Sequence, residues 1–126
     1  MIEYLTLEEL LVIQSHMIKR FGGLIGIRDK NLLNSAIELP KSTMFGKDLY
    51  PGVFEKAAIY LFAIVRNHPF NDGNKRTGGG AAYLFLQANK TSIKFTDSHF
   101  ENLILGVANG HVTKEEITQF FKKGKL

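Results

Sequence analysis

Two copies of one short signature, "TLEE" at Thr6–Glu9 and "TKEE" at Thr113–Glu116, stand near the two ends of the chain. In each, the threonine oxygen accepts an amide of the first turn while the glutamate reaches back to the threonine's own amide. Each is therefore a capping box that opens a helix. After Thr6, Leu7, Leu10, Leu11, Gln14, Met17 and Ile18 recur at helical spacing, and Gly22-Gly23 supply a left-handed stop. Asp29 caps a second helix, with Leu32, Leu33, Ala36 and Ile37 on one face and Pro40 as its end. "KSTMFGKDLY" reads as a loop, and Pro51 suits the first turn of a third helix. Val53, Phe54, Ala57, Ala58, Leu61, Ile64 and Val65 make that helix broadly apolar, hence central and buried. "AAYLFLQANK" carries a fourth helix. Asp97 or Ser98 caps a fifth, with Leu103, Ile104 and Val107, and Ile117, Phe120 and Phe121 line the last. "TSIKF" alternates and reads as a short extended piece, but one strand alone makes no sheet. The expected fold is all-α: a single domain over residues 1–126, built as a bundle of about six helices.

Composition narrows the classes of function. The hydrophobic fraction of 44% supports a folded core, and the absence of cysteine removes both disulfides and thiolate metal sites. The longest apolar run, "AAIYLFAIV", is too short for a bilayer, which needs about 20 residues. The N-terminus shows no signal-peptide pattern, so the chain reads as soluble and cytoplasmic. A net charge of +4, much of it in the terminal "KKGKL", indicates a solvated tail and not a nucleic-acid surface.

The chemistry concentrates in "HPFNDGNKRTGGG", His68 to Gly80. Pro69 drives His68 out of helical geometry, so the third helix should end at Arg66 or Asn67 and leave the imidazole at the lip of a loop. The fourth helix should start between Asn74 and Thr77. Its first turn carries Lys75 and Arg76, which oppose the helix dipole. That arrangement makes sense if a multiply charged anion sits there, since a helix N-terminus offers free amides and a positive dipole end. Gly73 permits a turn that aims successive amides at phosphate oxygens. Gly78, Gly79 and Gly80 would let a ligand, or a neighbouring helix, come close to the backbone. Asp72 is a hard oxygen donor suited to Mg²⁺ beside phosphates, and His68 suits a general base near neutral pH. Each element also has a plain structural role: a surface histidine, a capping aspartate, solvated cations, glycines for helix packing. Their concentration in a dozen residues, against helix propensity and dipole alike, favours the functional reading. The "GxxxxGK[ST]" spacing of a Walker loop is absent.

At this point the motif "HPFNDGNKRT" resembles the signature of Fic-domain proteins, and in particular their death-on-curing (Doc) branch, the toxins of toxin–antitoxin pairs. "RFGGLIGIRDKNLLNSAIELP", "DLYPGVFEKAAIYLFAIVRNHPF", "FLQANK" and "VANGHVTKEEI" are similar to other parts of the family, so the likeness covers nearly the whole chain. The resemblance implies an enzyme that binds ATP with Mg²⁺ and modifies a hydroxyl side chain of a target protein. His68 would take the hydroxyl proton, Phe70 would anchor the loop in the core, and Asp72 would hold Mg²⁺. Gly73, Asn74, Lys75, Arg76 and Thr77 would cradle the phosphates, with Lys75 and Arg76 meeting charge in the reaction and Arg66 supporting the site.

The nucleotidylating majority of the family reads HPFx[DE]GNGRxxR. Here Lys75 replaces a glycine and Gly79 replaces the second arginine. The lysine adds a point charge to the phosphate pocket, and the missing guanidinium removes a clamp. The Doc branch shares the lysine and is associated with phosphorylation of a threonine of elongation factor Tu, which stops translation. The resemblance therefore implies a protein kinase, with AMP transfer as the alternative and a non-catalytic antitoxin-binding module as a further one. The nearest match to the family's inhibitory [ST]xxxE[GN] helix is "DSHFEN", which begins with Asp97. No built-in inhibitor is expected. Restraint is expected from a separate antitoxin whose C-terminal segment binds this domain, with nucleic acid met only through that partner. Phe21, Leu24 and Ile25 are candidates for its groove, with ordinary core the preferred reading.

Overall fold

A computed structural model describes residues 1–126. Six helices carry the architecture: α1 Leu7–Phe21, α2 Lys30–Glu38, α3 Val53–Asn67, α4 Asn74–Ala88, α5 Asp97–Ala108 and α6 Lys114–Lys123. The all-α bundle expected from the helical spacing is what forms. Both capping boxes are made: Thr6 accepts from the Glu9 amide and Thr113 from the Glu116 amide, with each glutamate bonding back. Asp29 accepts from the Leu32 amide at the start of α2.

Helix α3 is the spine. From Lys56 to Val65 every residue is buried except the half-buried Phe62, and α4 and α6 pack along it most extensively. Leu10, Leu33, Leu61, Ile64, Phe85, Leu103, Phe120 and Phe121 fill the core around it. Lys56 is fully buried in this apolar setting. A buried ammonium is tolerated only when its protons are satisfied. Here Nζ donates to the carbonyls of Pro40 and Tyr50 and pairs with Asp48 Oδ2 at 3.3 Å.

Several local expectations are corrected. The stretch read as a loop contains a two-stranded antiparallel hairpin, β1 Thr43–Met44 with β2 Lys47–Asp48. Its tip turns through Phe45 and Gly46, both at positive φ. Lys56 explains why so short a hairpin holds, because it ties Asp48 and Tyr50 to the spine. "TSIKF" forms no strand: its alternation marks a loop that half-buries Ile93 and Phe95, with Phe95 packed 4.5 Å from the Phe100 ring centroid and 5.2 Å from that of Phe120. Pro51 precedes α3, which is capped by Gly52. Thr96, not Asp97 or Ser98, caps α5 through the His99 amide. Pro40 falls in a 3₁₀ turn, Leu39–Lys41, beyond the end of α2. Gly22 ends α1 at φ 90° and ψ 169°, a glycine-only conformation but not the left-handed helical one. No helix is long and apolar enough to cross a membrane.

Candidate functional site

Helix α3 stops at Asn67, where Pro69 was expected to stop it, but His68 does not become extended. It takes the left-handed conformation, φ 52° and ψ 59°, and its amide closes back onto the Ile64 carbonyl at 3.2 Å. The steric effect of proline alone favours extended geometry for its predecessor. Tertiary bonds decide otherwise. The strand-like segment Gly26–Asp29 runs antiparallel to the motif, with an isolated bridge between Ile27 and Phe70. The amides of Arg28 and Asp29 donate to the Pro69 carbonyl at 2.8 and 3.1 Å, and the Asn71 amide donates to the Gly26 carbonyl at 2.9 Å. The Arg28 side chain donates to the carbonyls of His68 and Asn67. Phe70 is fully buried below the loop, a burial contributing about 1.5–3 kcal/mol.

The loop is closed from within by Asn74, whose Oδ1 accepts the Phe70 amide at 3.0 Å while its Nδ2 donates to the Phe70 carbonyl at 3.1 Å. This side chain is engaged in shaping the loop. Gln14, buried on α1, braces the other side: Nε2 donates to the Asp72 carbonyl at 3.1 Å and Oε1 accepts the Gly26 amide at 3.3 Å. Asp72 Oδ2 accepts the Leu24 amide at 2.7 Å, and its second carboxylate oxygen has no partner within the protein. Gly23 is required here, at φ 115°, because a Cβ would stand 3.0 Å from that of Asp72.

Gly73, at φ 74°, caps α4 without a side chain. None of the amides of Asp72, Gly73, Asn74, Lys75 and Arg76 has an acceptor within the protein; the first closed bond of the helix is from Thr77 to the Gly73 carbonyl. Unpaired amides of this kind, at the positive end of a helix dipole, form an anion-binding concavity. Lys75 and Arg76 are exposed and form no ion pair. The Arg76 guanidinium lies 3.9 Å from the Phe21 ring centroid. Beside this turn is a cavity of about 420 Å³ lined by Gly73, Asn74, Lys75 and Arg76 together with Glu101, Ile104 and Leu105 of α5. His68 and Asp72 do not line that cavity; both are exposed at the loop itself, and the imidazole makes no hydrogen bond within the protein.

Other sequence candidates sit further back. Thr77 is wholly buried, with its hydroxyl unpartnered. Arg66 donates to the last carbonyls of α5, Val107 at 3.3 Å and Ala108 at 3.2 Å, and so holds the far wall of the cavity in place. The glycine run serves helix packing three times over. A Cβ on Gly78 would meet Val65 of α3 at 2.7 Å, one on Gly79 would meet Ile104 of α5 at 2.7 Å, and one on Gly80 would meet Ile13 of α1 at 3.0 Å. Phe21, Leu24 and Ile25 are not core: they are 50%, 63% and 50% exposed beside the motif. Sequence reasoning missed Arg28, Phe21's contact and Glu101. Gln14 carried a signal, since it is the polar residue in an otherwise apolar helical stripe.

Residues 4–86, which include the motif, match the Fic/DOC family. The toxin Doc of Mycolicibacterium smegmatis is 44% identical over 89 residues, 71% of this chain and 66% of that protein. The protein kinase doc of Escherichia phage P1 is 30% identical over 120 residues, 95% of this chain and 94% of that protein.

Proposed function

The chain belongs to the Fic/DOC family, and from that premise we propose that it is the toxin of a toxin–antitoxin pair, a protein kinase that moves the γ-phosphate of ATP onto a threonine or serine hydroxyl. The observation that carries this reading is the row of acceptor-free amides from Asp72 to Arg76, with two exposed cations in the same turn and an unpaired imidazole on the same short loop. The kinase name of the phage relative and Lys75 in the place of a glycine favour phosphoryl over AMP transfer. The target is a translation factor, elongation factor Tu, and the reaction takes place in the cytoplasm.

In this reading His68 removes the proton from the target hydroxyl. That oxygen bonds to the γ-phosphorus as the bond from phosphorus to the β–γ bridging oxygen breaks, leaving a phosphorylated target and ADP. The imidazolium then returns its proton to solvent. The amides, Lys75 and Arg76 hold phosphate oxygens and neutralise charge on the transferred group; positioning and electrostatics supply most of the rate in such reactions. Asp72, with one carboxylate oxygen unengaged, fits Mg²⁺ bound by a single protein carboxylate plus phosphate oxygens and water. When bound, the ion would neutralise phosphate charge. A cognate antitoxin, its C-terminal segment laid on this domain, would restrain the enzyme and supply any contact with nucleic acid.

Purified protein, elongation factor Tu and ATP labelled in parallel at the α- or γ-phosphate test the proposal. Label reaching the factor from γ-labelled ATP alone is expected. Label from α-labelled ATP would replace the kinase with an AMP transferase. Growth inhibition untouched by substitution of His68 or Asp72 would reduce the domain to an antitoxin-binding module.

A further inference from the structure

We propose that Arg28 is the positioning residue of the site, its guanidinium fixing the left-handed backbone of His68 and with it the direction of the imidazole. The inference rests on the kinase reading for its catalytic consequence, but its structural content stands apart from it. Arg28 donates to three successive carbonyls: Nη2 to Asn67 at 2.8 Å, Nε to His68 at 2.6 Å, and its own amide to Pro69 at 2.8 Å. Rotation about φ of His68 swings the Asn67 carbonyl relative to the His68 Cα, and rotation about ψ swings the His68 carbonyl. Two donors on one rigid guanidinium therefore hold both peptide planes that flank the histidine. The backbone bond to Pro69 pins the base of the arginine, so the clamp cannot drift as a unit.

Energetics favour a purpose beyond stability. A non-glycine residue in the left-handed region costs on the order of 1–3 kcal/mol and persists only when its surroundings impose it. The other non-glycine residues at positive φ, Phe45 and Lys90, sit in the hairpin tip and at the end of α4; no side chain donates to the carbonyls that flank Phe45, and at Lys90 a single bond of 3.4 Å from the adjacent Thr91 hydroxyl reaches the Asn89 carbonyl alone. Arg28 is exposed and forms no ion pair, so its charge is not committed elsewhere. Lysine in its place would offer a point charge without the planar fork that fixes the two carbonyls relative to each other.

Two readouts on Arg28→Ala and Arg28→Lys test this. The first is the His68 Cβ chemical shift, which separates left-handed from extended backbone and needs no substrate. Both variants are expected to move it toward the extended range. The second is kinetic: kcat should fall by about 10–100-fold while KM for ATP changes by less than about two-fold. Guanidinium ion added at millimolar concentration should restore part of kcat to Arg28→Ala and none to His68→Ala. An unchanged His68 shift in both variants would overturn the proposal, as would an unchanged kcat. Should Arg28→Ala fail to fold, Arg28→Lys carries both readouts. Wild-type protein that transfers no γ-phosphate would sink the kinase reading, and the chemical shift alone would still judge the clamp.

Discussion

The guanidinium carbon of Arg76 sits over the Phe21 ring, 3.9 Å from its centroid, joining the last residue of α1 to the first turn of α4. Stacking uses the guanidinium's face and leaves its edge N–H groups free, and Arg76 makes no hydrogen bond within the protein. In the proposed function, Phe21 would thus present the cation to the phosphates.

Phe21→Ala should therefore weaken ATP binding by about two- to five-fold, the equivalent of the 0.5–1 kcal/mol of an exposed cation–π contact. Calorimetric titration checks it. Equal or tighter binding would mean that the stack restrains Arg76 instead of presenting it.

The glycine run should show a graded response to alanine. Gly78→Ala drives a methyl against Val65 in the buried spine, with the Leu61 carbonyl next at 3.4 Å, and overpacking of this kind costs about 1–3 kcal/mol. Gly79→Ala meets the end of the Ile104 side chain, which is half-buried and yields more easily. Gly80→Ala meets Ile13 and Met17 at 3.0 and 3.2 Å, and a helix-propensity gain of about 1 kcal/mol offsets the crowding. Denaturant unfolding should rank the losses Gly78, Gly79, Gly80. A reversed order would show that α3 and α4 do not pack as described.

His68 separates stability from activity. His68→Ala and His68→Gly should both bind ATP and transfer nothing. Glycine accepts φ 52° without a Cβ clash, so His68→Gly should exceed His68→Ala in stability by about 1 kcal/mol. Equal stabilities would imply that the loop relaxes out of the left-handed region once the imidazole is gone.

Tyr60 links the fold to alkaline pH. Its hydroxyl accepts the Leu5 amide at 3.1 Å, and burial pushes its ionisation up from 10.0 to about 12. The folded state favours the protonated phenol, so this contribution is complete below pH 10.0 and lost as pH rises toward about 12. Tyr60→Phe should show a shallower loss of stability across that window than wild type. At pH 7 it should cost about 1–3 kcal/mol for the acceptor taken from a buried amide. Parallel alkaline curves for the two proteins would refute the linkage.

Local chemistry wrote much of this protein in readable form. Capping boxes at Thr6 and Thr113, the apolar run of α3 and the break at Pro69 act within a few residues, where side-chain hydrogen bonds and backbone sterics need no distant partner. The motif loop was legible for the same reason, since Gly73 and the cations beside it oppose ordinary helix preferences.

What stayed hidden depended on contacts across long spans of chain. Whether Gly78–Gly80 faced a ligand or a helix was decided by Val65, Ile104 and Ile13 on three other helices. Whether His68 was extended or left-handed was decided by a guanidinium 40 residues away. Composition cannot encode such choices, because their energy belongs to pairs of groups that only the folded chain brings together.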